Sequence, residues 1–314
     1  MAKQWLREIR LKVGSNSQEI DVSQMRIKFV VRHWELQTPA HSDIIIYNLS
    51  DETANRIKKE FTTVSLEAGY RENFGLIFRG EVKQIRKGRE NPVDTYLAIL
   101  AANADRAYNY AVVNKTLAAG HTFRDQVETC IQAMKPYGVQ VGHIADLGSQ
   151  KMPRAASLFG MARDVLRRVC FATNMSWSIQ NDRLQIVPNR EAAPGEAIVL
   201  NSRTGMIGLP VQTIDGILVR CLLNPQIVPG KRVKIDQASV QEARFNPSFT
   251  AEVHNAMIPS TADDGLYKVL AVDHIGDTRG QPWYSDLTCI RADGQGPLPL
   301  GLAQRGIALD PEQS

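Results

Sequence analysis

Apolar and polar residues alternate along most of the first hundred positions, and the alternation breaks once. Trp5, Arg7, Ile9, Leu11 and Val13 fall on one side of an extended run, with Leu6, Glu8, Arg10 and Lys12 on the other. Gly14 to Asn16 turns the chain and Ile20 and Val22 lie in its return, the pattern of a β-hairpin. Met25, Ile27, Phe29 and Val31 predict a strand running to Trp34, and Ile44 to Tyr47 is a short apolar run closed by Asn48. There the period changes. Ser50 suits a helix N-cap, with Asp51 and Glu52 in the first turn and Lys58 and Lys59 near the end, charges that complement the helix dipole at both poles. Alternation resumes in Val64, Leu66 and Ala68, in Leu76 to Ile85, and from Pro92 to Ala102. Roughly six or seven strands around one short helix suit a barrel or sandwich, a building block rather than a reaction vessel.

From Asp105 the texture becomes mixed. Ala107 to Val113 and Thr116 to Gly120 lead into a helix capped by Thr122, which runs from Phe123 to about Lys135 and repeats Val127, Ile131 and Met134 at helical spacing. Val139, Val141 and Ile144 predict a strand. Arg154 to Thr173 predicts an amphipathic helix, with Leu158, Met161, Ala162, Val165, Leu166, Val169 and Cys170 on one stripe. Trp177–Ile179 and Leu184–Val187 flank Asn181-Asp182 as a hairpin. Strand texture returns from about Ala197, with the clearest runs at 217–223, 232–235, 266–275 and 283–290. The expected fold is mainly β with an α+β insert: 1–104 and 191–293 as two similar β-barrel units, 105–190 as the inserted module, and 294–314 as an extended Gly/Pro-rich tail with isolated leucines.

The similarity of the two β-units rests on the text itself. An offset of 190 sets Gly75–Ala102 against Gly265–Ala292 without a gap, and seven pairs are identical: Gly75/Gly265, Leu76/Leu266, Val82/Val272, Ile85/Ile275, Pro92/Pro282, Leu97/Leu287 and Ala102/Ala292. IIIYNL at 44–49 resembles VRCLLN at 219–224, and VSLEAG at 64–69 resembles VKIDQA at 233–238. Generic strand alternation produces some such matches on its own. A real duplication would let a trimer present six similar barrels, sixfold pseudo-symmetry on a threefold particle.

Composition narrows the classes. At 314 residues the chain is long enough for several cores, and a Lys plus Arg excess of 37 − 33 = 4 is too mild for a dedicated nucleic-acid binder. The first residues, MAKQWLREIRLKVGS, carry no apolar leader, and no stretch approaches the roughly 20 apolar residues of a membrane span. Folding in a cytoplasm is expected. Cys130, Cys170, Cys221 and Cys289 are single, widely separated and set among apolar neighbours, which predicts buried free thiols.

Read together, IYNLSDET, VSLEAGY followed by IFRGEV, YNYAVVNKTLAAGHTFRDQ and VDHIGDTRGQPWYSDLTC make the chain resemble, from about Leu6 to Ile290, the baseplate hub family of contractile phage tails. Its relatives are the late-control D-type tail proteins and the N-terminal part of type VI secretion spike proteins. The resemblance implies a homotrimer with two tube-forming β-barrels per chain, located in the virion tail baseplate. It implies partners above and below: tail tube or distal tube proteins, a central spike protein and other baseplate proteins, with transient passage of phage DNA and no membrane anchoring. In that setting the tail from Gly294 to Ser314 is a candidate docking segment.

Reactive chemistry is sparse. His33, His41, His121, His143, His254 and His274 form no HExxH and no Cys/His cluster, and the only compact His/carboxylate pair is His274 with Asp277 in DHIGD, where Gly276 and the following Thr278-Arg279-Gly280 favour a polar turn. Walker, GxSxG and reactive-thiol patterns are missing, and Glu52, Glu60 and Glu67 are not paired across a cleft by anything in the sequence. Trp177, Trp283 and Tyr284 suit a core or a subunit interface better than a sugar or base platform. No catalytic, cofactor or metal residues are expected. The competing readings are a tail-associated peptidoglycan hydrolase using 105–190 and a carbohydrate-binding module. The basic stretches Arg7–Lys12 and Arg79–Arg89 are not expected to make a strongly basic lumen, since many phosphate contacts would retard passing DNA.

Overall fold

The computed structural model describes residues 6–15, 18–35, 37–236, 239–242, 258 and 261–293. The fold is mainly β, with a few helices. The first unit holds β1 (Arg7–Gly14), β2 (Glu19–Asp21), β3 (Ile27–Trp34), β4 (His41–Tyr47), α1 (Asp51–Glu60), β5 (Thr63–Tyr70), β6 (Asn73–Arg89) and β7 (Thr95–Ala102). The insert holds α2 (Asp105–Tyr110), β8 (Val112–Leu117), α3 (Phe123–Met134), β9 (Gln140–Ile144), β10 (Ala156–Met161), α4 (Ala162–Ala172), β11 (Met175–Gln180) and β12 (Arg183–Pro188). The second unit holds β13 (Ile198–Leu200), β14 (Met206–Thr213), β15 (Gly216–Leu222), β16 (Arg232–Ile235), β17 (Leu266–Asp277) and β18 (Trp283–Arg291). The predicted tail, 294–314, Trp5, and most of the irregular segment after Gln237 lie outside the described residues.

Local chemistry explains the elements. Ser50 caps α1 by accepting from the Thr53 amide, and α1 buries Ala54 and Ile57 against the first unit. Burying one such isoleucine contributes about 1.5–3 kcal/mol. Thr122 and Asp125 form a reciprocal capping box on α3. Asn181 and Asp182 both hold positive φ, 49° and 63°, as a two-residue turn between β11 and β12 requires.

One predicted helix is half strand. Residues 156–161 pair with β8, and the helix begins only at Ala162. Gly160, at φ 125°, sits where a helix cannot pass. Leu158 still enters the same core as Val165, Leu166, Val169 and Cys170, so the apolar stripe was real but spans two kinds of element. α2, β8 and β14 carry no period that singled them out.

Three apolar cores follow the chain: one in the first unit, joined by Leu223 and Trp283; one of residues 104–186 only; and one in the second unit. The β-units do not stand apart as two closed barrels. A single sheet runs β14-β15-β18-β17-β3-β4-β7-β6-β5-β1-β2, with β13 and β16 branching from β17. Among the described strands no pairing closes either unit on itself. β3 instead takes β17 as its antiparallel neighbour, from Ala271↔Trp34 to Asp277↔Lys28.

The strand order is nonetheless repeated. β3-β4-β7-β6-β5-β1 in the first unit matches β14-β15-β18-β17-β16-β13 in the second, although β13 runs parallel to its neighbour where β1 runs antiparallel. β6 and β17 are both long strands interrupted by a bulge, between Val82 and Gln84 and between Val269 and Ala271. Aligning the bulges makes Val82 equivalent to Val269, an offset of 269 − 82 = 187, not the 190 of the ungapped match. The seven identities therefore stand two or three positions out of structural register. The shorter resemblances are in register: Ile44 pairs with Ile99 as Val219 pairs with Leu287, and Val64 pairs with Gly80 as Val233 pairs with Tyr267. Generic strand alternation yields matches at many offsets, so only cross-strand pairing fixes which offset is meant.

Candidate functional site

The residues singled out for chemistry are dispersed. His274 points into the core, where its Nδ1 lies 2.8 Å from Ser285 Oγ and burial lowers its pKa to about 3. Asp277, three residues on, belongs to the other face and bonds Arg26 at 2.9 Å. Burial pushes the Asp277 carboxyl up, but Arg26 and the Arg279 amide outweigh it and leave the pKa below the usual value. His33 is also buried, with Nε2 2.6 Å from the Ile77 carbonyl and a pKa lowered by desolvation to about 4. Glu52 and Glu60 lie on the exposed side of α1, and Glu67 on β5 bonds Arg10. Trp283 is buried edge-on to Phe29 and donates to the Gly69 carbonyl at 3.1 Å, while Trp177 is buried beside Tyr108. All four cysteines are buried, and burial pushes the thiols of Cys130, Cys170 and Cys221 up to about 12.

A shallow depression of about 400 Å³ on the insert is lined by Lys115, His121, Asp125 and Glu128, among others. Asp125 is committed to the α3 cap, and His121 to the Ala118 carbonyl at 2.8 Å. Among the described residues no cluster of three metal-ligating side chains occurs, and no helix is long and apolar enough to cross a membrane.

What the fold does build is a face. From β14 to the second half of β6, eight strands lie side by side, each antiparallel to the next. The outward residues form unbroken cross-strand rows. One row runs Arg220, Asp286, Asp273, Arg32, His41, Ala102, Glu81, and the next runs Leu222, Tyr284, Ile275, Val30, Asp43, Leu100, Gln84. Lys28, Arg32, Arg86 and Arg220 supply positive charge, and Asp43, Asp273, Asp277 and Asp286 answer it.

The opposite charges meet. Arg220 forks onto Asp286 at 2.6 and 2.9 Å and covers the Tyr284 ring, and Arg32 lies 3.4 Å from Asp43. Asp273, directly across from Asp286, accepts from the Trp34 indole at 3.1 Å; its pKa is raised, by burial first and by Asp286 in part. With Glu81 in the first row, such a wall has no excess of positive charge with which to hold a polyanion.

Sequence reasoning missed the joint behind this face. Lys268 on β17 is fully buried, and its Nζ bonds Glu35 Oε1 at 2.7 Å, the Pro188 carbonyl at 2.6 Å and the Asn189 carbonyl at 3.1 Å. One ammonium thus ties the second unit to the end of β3 and to the last strand of the insert. Ser176 Oγ donates to the Glu35 carbonyl from β11 at 3.3 Å. Burial raises the Glu35 pKa to about 7 and lowers that of Lys268. The only signal in the sequence was a lysine inside an otherwise apolar run, KVLAV.

Comparison with known proteins bears on this architecture. The sequence model of the family described as "Baseplate hub gp41" matches residues 8–252. No curated protein matches. The fold is similar to that of a 43 kDa tail protein of prophage MuSo2 from Shewanella oneidensis (TM-score 0.56, 8% identity, covering 91% of this chain and 98% of that one). It is similar to a tail protein from Neisseria meningitidis (TM-score 0.56, 9% identity, 97% and 100% covered). It is also similar to an E. coli protein described as a component of the type VI secretion system with structural similarity to T4 tail proteins gp27 and gp5 (TM-score 0.53, 12% identity, 92% and 79% covered).

Proposed function

The chain belongs to the baseplate hub gp41 family, with a structural role in the phage tail baseplate, and from that premise we propose that three copies form a ring joining the sixfold tube of a contractile tail to its threefold central spike. The observation that carries this reading is the repeated strand order, β3-β4-β7-β6-β5 beside β14-β15-β18-β17-β16. One chain then supplies two look-alike modules, and three chains imitate a hexagon. Tube or distal tube proteins contact the six modules, while the 105–190 insert and the 294–314 segment engage threefold partners, including the spike and other baseplate proteins.

In this reading the eight-stranded face lines the DNA channel. Its balanced charge supports the role, because each lysine or arginine free to neutralise a phosphate would add a salt-dependent grip on passing DNA. Here Arg220 and Arg32 are occupied by Asp286 and Asp43.

Native mass measurement of the purified chain tests the proposal. A trimer, alone or with its spike partner, is the expected species. A strictly monomeric chain at high concentration with and without the spike overturns it. Clearing of a cell-wall zymogram by the purified protein would replace the structural reading with hydrolysis.

A further inference from the structure

The insert is joined to the β-units differently from the way they are joined to each other. β3 and β17 share a backbone ladder, and Leu223 and Trp283 enter the core of the first unit. The insert has neither kind of tie. Among the described strands its own pair only with one another, β8 with β10, and β12 with β11 and β9. Its apolar core draws on residues 104–186 alone. What crosses is chiefly a seam of polar contacts. We propose that the insert is a docked module that parts from the β-units along this seam as one body, before any of the three cores opens.

β11 carries most of the seam. Trp177 and Ile179 turn one of its faces into the insert's own core, and Ser176, Ser178 and Gln180 make up the other. Such an alternation belongs to a strand with its polar side in water, yet these three residues are only 2%, 3% and 5% exposed. The β-units cover them. Ser176 Oγ donates to the Glu35 carbonyl at 3.3 Å, and Gln180 Nε2 to the Pro229 carbonyl at 3.4 Å. On α4, Arg167 Nε donates to Gln37 Oε1 at 2.7 Å. At one end of the β11–β12 hairpin Asn103 Nδ2 donates to Asp182 Oδ1 at 3.2 Å, and at the other Lys268 holds the Pro188 and Asn189 carbonyls.

The chemistry of the seam makes parting it inexpensive. Hydrogen bonds exchanged for bonds to water are worth little net. Glu35 Oε2 and Gln180 Oε1 are buried there with no hydrogen-bond partner among the described residues, and water satisfies both once the faces separate. Lys268 and Glu35 also regain the hydration that burial took from them. Opening a core instead exposes Trp177 or Trp283 with their apolar neighbours, which the hydrophobic effect opposes. Units held by polar contacts move relative to one another unless a large apolar interface prevents it. The inference concerns a single chain and goes beyond the ring reading without needing it. In a ring, it lets the β-units stay fixed while the inserts meet threefold partners at more than one angle.

The native cysteines supply internal references for the test, Cys130 and Cys170 in the insert core and Cys221 and Cys289 in that of the second unit. Full-length Ser176→Cys and Ser178→Cys, both near-isosteric, are labelled with iodoacetamide at a series of urea concentrations below the unfolding transition. Mass spectrometry reads each site, and each rate is divided by that of the same site in the unfolded chain. Both introduced thiols are expected to label at least tenfold faster than the four native ones, at rates that match each other. Those rates should rise little with urea, because parting a polar seam exposes little surface, while the native thiols follow the steeper dependence of core melting. Introduced thiols that label no faster than the native four, with the same urea slope, overturn the proposal: the seam would then open only in global unfolding. Cys130 and Cys170 labelling as fast as the introduced thiols would mean that the insert melts in place. A fast thiol at 178 beside a slow one at 176 would mean local fraying. Either result overturns detachment as one body, and none of these outcomes bears on the ring.

Discussion

Lys268 Nζ and Glu35 Oε1 lie 2.7 Å apart with both side chains buried. The pair joins β17 to the end of β3 and, through the Pro188 and Asn189 carbonyls, to the end of β12, and Glu35 Oε2 has no hydrogen-bond partner among the described residues. Two charges taken out of water regain little more than their desolvation cost, yet removing either one alone strands the other. Lys268→Met is expected to destabilise the protein by about 3–5 kcal/mol, while Glu35→Leu with Lys268→Met recovers most of that loss. Thermal unfolding of the parent, the single and the double variant checks it; a double variant no better than Lys268→Met would show that the carbonyl contacts to Pro188 and Asn189 matter more.

The buried histidines predict an acid response. His33 and His274 hold folded pKa values of about 4 and about 3 against 6.5 in an ordinary setting. The unfolded chain accepts protons that the folded one refuses, so their stabilising effect is complete above pH 6.5 and drains as pH falls toward 4. Each contributes about 1.4 kcal/mol per pH unit over that window. Glu35, with its raised folded value near 7, works in the opposite sense between pH 7 and 4.5, so the comparison must be between variants. His274→Asn, which keeps a polar partner for Ser285, is expected to flatten the dependence of melting temperature on pH between 6.5 and 5.

Gly276 has no room for a side chain. A Cβ there would lie 2.3 Å from the Phe29 ring and 3.0 Å from Trp283. Gly276→Ala is expected to cost about 1–3 kcal/mol by overpacking, read as a lower denaturation midpoint. Its effect should shrink in Phe29→Leu, where the obstructing ring is gone.

Trp283 ties the second unit into the first core through Phe29 and the Gly69 carbonyl. Trp283→Ala is expected to destabilise by about 3–5 kcal/mol. A variant that melts like the parent but loses retention on a glycan column would revive the carbohydrate-binding reading.

The Ser50 cap offers a smaller, local check. Its side chain accepts the Thr53 amide at 3.2 Å, and Ser50→Ala is expected to cost about 1 kcal/mol. Hydrogen exchange should quicken in the first turn of α1 and stay unchanged in the insert.

The sequence by itself determined what depends on neighbours a few residues away. Ser50 and the flanking charges fixed α1, Thr122 fixed the start of α3, and Asn181-Asp182 fixed a turn, because caps and turns are made by local hydrogen bonds and backbone angles. It also carried the similarity of IIIYNL to VRCLLN, since both lie in strands that must bury alternate residues. Tertiary structure alone decided that β17 joins β3, that residues 156–161 pair with β8 instead of extending α4, and that Val82 answers to Val269. Each of those turns on which edge meets which, and hydrophobic alternation is blind to that. The Glu35–Lys268 joint lay deeper still: the two residues are 233 positions apart, and only the folded chain makes a buried lysine tolerable by bringing a carboxylate and two carbonyls to it.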